Sequence, residues 1–280
     1  MIETLRVGVA RGLIEFRHTL TNAMDLWGYL FPSIGLLVTL FFMDDARVPG
    51  TDFSLGASTL PSSIGMLVAF GGLITIAQYL IVDREDGTLL RAKATPNGMN
   101  GYLIGKVVGV GGMTLASVLV VLVPGLFLVD GLAVDLGGTL TLLWLLPLAV
   151  VATVPIGAAI GSLFDNPRSF GLIMLPIFGV VAISGIFYPL SAMPGWLQGI
   201  GQLFPIYWLG LGMRSAFLPD SLAAVELGGS WRHLATFGVL AVWAIAGLAL
   251  APVLLRRMAR RESGSAVAAR RERALTSVVR

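Results

Sequence analysis

The feature that most constrains this chain is a succession of apolar runs, each roughly 17–25 residues long and almost free of Asp, Glu, Lys and Arg. Such a run has the length a helix needs to cross ~30 Å of hydrocarbon, where no water is at hand to satisfy backbone N–H and C=O groups. Composition agrees. Of the 280 residues 56% are hydrophobic and 12% charged, with a mean hydropathy of +0.85, whereas soluble domains are about one quarter charged. The chain reads as an all-α polytopic membrane protein.

Six spans are expected, at Trp27–Met43, Leu60–Val82, Tyr102–Val129, Thr139–Phe164, Phe170–Tyr188 and His233–Leu255. Prolines inside them (Pro32, Pro124, Pro147, Pro155, Pro176) are tolerated because neighbouring helices re-satisfy the freed backbone groups. The first run follows Glu3, Arg6, Arg11, Glu15 and Arg17, and no small-x-small cleavage pattern comes soon after it. That fits a retained helix rather than a cleaved leader.

Placing the N-terminus in the cytoplasm puts all 19 Lys and Arg except Arg47, Arg214 and Arg232 on the cytoplasmic side. The positive-inside rule then gives cytoplasmic N- and C-termini and an even number of spans. Pro205 to Asp220, "PIYWLGLGMRSAFLPD", is also apolar, but Pro205 to Arg214 is too short to cross. Pro189–Phe217 is therefore read as a re-entrant extracytoplasmic hairpin between the fifth and sixth spans, broken by Pro189, Pro194 and Pro205.

Three regions follow: residues 1–26, an interfacial helix; residues 27–255, the six-span domain; and residues 256–280, a basic cytoplasmic tail. In the first, Ile2, Leu5, Val9, Leu13, Phe16 and Leu20 share one helical face at about 100° per residue, with Thr4, Arg11, Glu15 and His18 opposite. This is the pattern of an amphipathic helix lying in the cytoplasmic interface, as an anchor or as a lever joining a partner to the first span. The Ala/Ser-rich tail with its arginines reads as a disordered anchor attracted to anionic lipid.

Several chemistries are missing. The chain has no cysteine and only two histidines, His18 and His233, far apart, which leaves no thiolate or paired-histidine metal site. Its only Gly-Lys pair, Gly105-Lys106, has Asn100 and Val107 where a phosphate loop needs Gly and Ser or Thr. H-E-x-x-H and G-x-S-x-G are absent. No carboxylate or histidine falls deep in a span, as ion-coupled transport usually requires. The polar residues there are Thr75, Gln78, Thr114, Ser117, Thr153 and Ser184, of the kind that packs helices. Gly105-x3-Gly109 and Gly157-x3-Gly161 fit close helix approach.

One segment is the opposite of oil. "VDREDGTLLRAKATPNG", Val82 to Gly98, holds Asp83, Arg84, Glu85, Asp86, Arg91 and Lys93. Six charges in hydrocarbon would cost on the order of 15 kcal/mol, so the loop belongs in water. Acids precede bases, which suits the dipole of a short helix, and Pro96, Gly98 and Gly101 close it.

"REDGTLLRAKATP" (Arg84 to Pro96) resembles the coupling helix of permease subunits of type-2 ABC transporters, of the drug- or lipid-exporting, daunorubicin-resistance-like kind. "SGIFYPLSAMPGWLQGIGQLFP" (Ser184 to Pro205) resembles the same family's outer segment between spans five and six. The resemblance implies a membrane subunit that works with two copies of a separate ABC ATP-binding subunit and with a second permease half, identical or sibling. ATP and Mg would be bound on the partner, with no cofactor, metal or catalytic residue here and no nucleic-acid partner. It implies ATPase contacts at Arg84, Glu85, Gly87, Thr88, Arg91 and Pro96, and a second contact at Asp165 and Arg168. Met193, Pro194, Trp196 and Leu197 would form an extracytoplasmic lid, and a bacterial plasma membrane is the expected location. Phe70, Gln78, Phe127 and Phe178 are chosen as pathway residues, since an uncharged, Gly- and Phe-lined interior suits a hydrophobic or amphipathic cargo such as a drug, antibiotic or lipid.

A polysaccharide or glycolipid exporter shares this architecture. Two other classes compete: a lipid-acting membrane enzyme with Asp83, Glu85 and Asp86 on a metal, and a stand-alone carrier needing no ATPase.

Overall fold

The computed structural model describes residues 2–43, 55–129, 132, 134–164, 170–186 and 189–261. Among these the regular structure is entirely helical. Helix α1 spans Ile2–Thr21 and α2 spans Ala23–Met43. Asn22 breaks them, and its side-chain oxygen accepts from the N–H of Met24 at 3.0 Å to start α2. Next come α3 (Leu55–Phe70) and α4 (Ile76–Glu85), joined by a π-helical turn at Gly71–Thr75. Then follow α5 (Thr88–Lys93), α6 (Gly98–Leu128), α7 (Leu136–Gly161), α8 (Phe170–Ala182), α9 (Gly195–Leu203), α10 (Pro205–Phe217) and α11 (His233–Arg261).

Among the described residues five helices are long and apolar enough to cross a membrane: Ala23–Met43, Thr59–Glu85, Gly98–Leu128, Leu136–Gly161 and His233–Arg261. They match five of the six expected spans. The fifth expected span, Phe170–Tyr188, holds the shorter helix α8. α8 has 13 residues, about 20 Å at ~1.5 Å per residue, and it ends at Ala182. There the Ser184 hydroxyl donates to the Val181 carbonyl at 2.7 Å, and Gly185 takes φ +69°, turning the chain away from the helix axis.

Small residues let the helices meet. In α7, a side chain on Gly157 would lie 2.6 Å from the Leu73 carbonyl oxygen, and one on Gly161 2.8 Å from the Ala77 Cα. The glycine pair therefore seats α7 against the π turn and α4. Gly71 and Gly72 in that turn likewise face Thr114 of α6 and Thr153 of α7, whose hydroxyls donate to Val110 and Ala149 of their own helices. These threonines are packing groups, and a π turn is the local adjustment that keeps both contacts in register.

α10 is also 13 residues long, and nearly every residue of it is buried, against α3, α7 and α11. α11 runs on to Arg261, so residues 256–261, taken above as tail, are helical.

Candidate functional site

The charged segment forms an ordered corner at the end of α4. Gly87 takes φ +80°, a conformation open to glycine and strained for L side chains, and this redirects the chain into α5. Asp86 Oδ1 accepts from the N–H of Thr88 at 2.7 Å, so a side chain satisfies one of the first free amides of the new helix. Leu89 and Ala92 are buried and root α5 in the bundle. Arg91 donates to Thr88 Oγ1 at 2.8 Å. Glu85, Asp86, Arg91, Lys93 and Pro96 are exposed, while Gly87 and Thr88 are half-buried.

Arg84 differs from these neighbours. Only 5% exposed, it turns inward and donates from Nη1 to the Phe164 carbonyl at 2.6 Å. In this structure it ties α4 to the chain leaving α7 and presents little surface to a partner. Asp165 and Arg168, the expected second contact, lie outside the described residues.

Beneath the corner is a polar cluster that the span-by-span reading missed. Lys106, two turns into α6, is 5% exposed. Its Nζ lies 2.9 Å from Asp83 Oδ2 and 3.0 Å from Glu15 Oε2. The Tyr102 hydroxyl donates to Asp83 Oδ2 at 2.6 Å, and Arg11 Nε donates to Glu15 Oε1 at 3.0 Å. Arg11 also sits 5.1 Å from the Tyr102 ring centre, and Lys106 lies 5.0 Å from that of Tyr79. α1, α4 and α6 therefore share one network of alternating charge, in which each buried ion has a partner.

One expectation is corrected by this geometry, and Lys106, counted with the charges of the cytoplasmic side, is found inside the bundle. Arg11 and Glu15, placed on the solvent face of the first helix, point at α6. The cause is a glycine stripe. Gly8 and Gly12 of α1 lie over Gly101, Ile104, Gly105 and Val108 of α6, so close that a side chain on Gly12 would stand 2.5 Å from the Gly105 carbonyl oxygen. This close face takes the polar side inward. Ile2, Leu5 and Leu13 are exposed, as an interfacial helix requires toward lipid. Gly8-x3-Gly12, facing the Gly105-x3-Gly109 already noted, was the available signal.

The opposite end of the bundle is stitched by tryptophan and arginine. Arg214 is 7% exposed and forks onto Glu226, with Nε to Oε1 at 2.6 Å and Nη2 to Oε2 at 3.1 Å, and its Nη1 donates to Ser62 Oγ at 2.9 Å. Arg232 donates to Gln202 Oε1 at 2.7 Å and lies 4.7 Å from the Trp208 ring centre. Of the expected lid, Met193 and Leu197 are half-buried, and Pro194 and Trp196 are exposed at the start of α9. Gln198 closes that turn by donating to the Met193 carbonyl at 2.8 Å.

The four pathway residues are only partly brought together. Phe70 and Phe178 meet edge to face at 5.9 Å, whereas Gln78 and Phe127 are exposed. A cavity of about 210 Å³ opens elsewhere, between Leu73, Ile156 and Ile160, Ile177 and Val180 of α8, and Trp243. All its lining residues are apolar.

Asp83 is committed to Lys106 and Tyr102, and Asp86 accepts from the Thr88 amide of α5. The three carboxylates of the metal-enzyme reading therefore do not converge, and among the described residues no group of three or more His, Cys, Asp or Glu could hold a metal ion.

Membrane-length helices and an ordered charged corner over a buried ion network define a multi-pass helical membrane protein. A family model described as ABC-2 family transporter protein matches residues 50–251, more than two thirds of the chain, and the chain belongs to that family. A search among curated proteins gave no match. Membership bears out the resemblance read from the segments 84–96 and 184–205. It makes the chain the membrane subunit of an ABC transporter and implies partnering with an ABC ATP-binding subunit.

Proposed function

We propose that this chain is the permease half of an ATP-driven exporter that moves a hydrophobic or amphipathic molecule, such as a drug, antibiotic or lipid, out of the cytoplasm or inner leaflet of a bacterial plasma membrane. ATP and Mg are bound and turned over on two copies of a separate subunit. That subunit docks on the corner formed by Glu85, Gly87, Thr88, Arg91 and Pro96, with the loop at Asp165 and Arg168 as its second contact. Two permease halves, identical or sibling, enclose the pathway. The observation that carries this reading is the position of the corner. Asp83, four residues before the turn at Gly87, is bonded to Lys106 and Tyr102 of α6 and through Lys106 to Glu15 of α1. A push on α5 thus reaches three helices through buried contacts. A rigid helix with mixed exposed charge also suits docking by complementary electrostatics.

The cargo class rests on the wholly apolar cavity between α7, α8 and α11 and on the uncharged character of the span interiors away from the polar cluster. Topology follows the charge bias: both termini in the cytoplasm, six crossings with α8 in the fifth, and the segment through α9 and α10 folded back from the outer side. The chain has no cysteine, so single cysteines report position without background. Thr88→Cys should react with an impermeant maleimide only from the cytoplasmic side, and Ala192→Cys only from outside. Reaction of both from one side would contradict this topology. Transport is tested in proteoliposomes holding the permease and its ATPase. Efflux of a lipophilic cation should need ATP and should stop when Arg91 and Lys93 are both changed to Glu. Uptake or efflux by the permease alone would favour the carrier reading.

A further inference from the structure

The last turns of α11 and the corner of α4 enclose a second polar feature, separate from the proposed ATPase contact. A cavity of about 130 Å³ is walled by Arg84 and Ser162, by Arg257 and Arg261 one helical turn apart on α11, and by the apolar Leu254 and Met258. Three arginines line one small space, and among the described residues no carboxylate lines it with them. Arg257 and Arg261 make no ion pair or hydrogen bond with any described residue, whereas Arg84 is held in place by the Phe164 carbonyl. Like charges four residues apart on a helix repel, and an anion between them would reverse that repulsion.

Depth decides which anion. From His233 to Leu255 the apolar stretch of α11 covers about 33 Å at ~1.5 Å per residue, close to the ~30 Å of hydrocarbon. Arg257 and Arg261 therefore emerge in the headgroup layer. A wall that is cationic on one side and Leu254 and Met258 on the other fits a lipid phosphate with its glycerol and first methylenes. We infer that this cavity binds the phosphate of an anionic phospholipid, and that the bound lipid bridges α11 to α4 and to the end of α7. Because Arg84 lies one turn from Gly87, lipid occupancy stiffens the base of the corner. The transporter is then expected to work best in anionic membranes.

The test uses the full-length chain in detergent, titrated with phosphatidylglycerol, phosphatidylcholine and inorganic phosphate. Retained lipid is counted by native mass spectrometry and unfolding is followed by tryptophan fluorescence. Phosphatidylglycerol should bind and raise the unfolding temperature, and the other two should not. At about 1 kcal/mol for each arginine near the surface, Arg257→Gln with Arg261→Gln should weaken phosphatidylglycerol binding roughly 30-fold. Arg6→Gln with Arg17→Gln removes the same charge from exposed positions of α1 and should change it less than about 3-fold. Equal loss in both pairs would mean diffuse surface charge and overturn the site. An equal shift with inorganic phosphate would reassign it to a free anion. Unchanged lipid retention with loss of a co-purifying ATP-binding subunit would make the arginines a protein contact and likewise overturn the lipid assignment.

Discussion

The Nζ of Lys106 stands 2.9 Å from Oδ2 of Asp83, both side chains little exposed, at 6% and 11%. This pair joins the end of one span to the start of the next, and Asp83 sits directly before the charged corner. Removing one partner of a buried pair leaves an uncompensated charge and costs about 3–5 kcal/mol, while removing both costs much less than the sum. Lys106→Met should therefore lower the unfolding temperature in detergent clearly, because Glu15 and Asp83 lose their shared cation. Adding Asp83→Asn, which keeps a polar partner for the Tyr102 hydroxyl, should recover at least about 1 kcal/mol. Strict additivity of the two changes, read by tryptophan fluorescence, would show that they do not act as a pair.

Docking of α1 on α6 depends on Gly12. Gly12→Val places branched carbon against the Gly105 carbonyl oxygen and Val108 Cβ, at 2.5 and 2.6 Å from the new Cβ. Overpacking of this kind costs about 1–3 kcal/mol. It should also part Glu15 from Lys106, so that ATP-driven transport falls at least tenfold. Gly28, which has nothing within 4 Å of its added Cβ, is the control: Gly28→Ala should leave both stability and transport unchanged.

At the other end, Arg214 binds Glu226 through two nitrogens and Ser62 through the third. A lysine cannot reproduce that fork. Arg214→Lys should destabilise by about 2 kcal/mol or more, and Arg214→Met by more still, since it leaves the Glu226 carboxylate buried without a cation. Protease sensitivity of the Gly195–Phe217 segment gives a local readout. Protection as strong as in the unmodified chain would contradict this role.

Gly87 tests the corner itself. Its φ of +80° is closed to proline, whose ring fixes φ near −65°. Gly87→Pro should leave the membrane-length helices and insertion intact but displace α5 and abolish ATPase-driven transport. Gly87→Ala should retain part of the activity, because the left-handed region costs an L residue only about 1–2 kcal/mol. Normal transport by Gly87→Pro would remove the corner from the mechanism.

Much of this was legible in the sequence because hydrocarbon imposes length. Apolar runs placed five membrane-length helices within a few residues, and the composition of Val82–Gly98 marked the corner. Features that depend on pairing between distant residues were not legible. Asp83 and Lys106 each lie close to a span boundary, where a lone charge reads as solvated, and only the fold shows that they face each other. The same holds for Arg214 and Glu226. The polar side of α1 was readable but its direction was not, because amphipathicity does not say whether polar groups meet water or a neighbour. Gly8 and Gly12 made the difference. The end of α8 was hidden for a third reason: apolar character continues past Ala182, so only the backbone at Gly185 and the Ser184 hydroxyl show where the helix stops.

The central claim is that a separate ATPase drives this permease through the corner at residues 83–96. Gentle detergent purification of the chain from its native membranes, followed by identification of stoichiometric companions, tests it most directly. The account predicts an ABC ATP-binding subunit in equal amount with the permease halves, lost when Arg91 and Lys93 are both changed to Glu while the permease stays folded. Reproducible absence of such a subunit, or its full retention by that variant, would contradict the account.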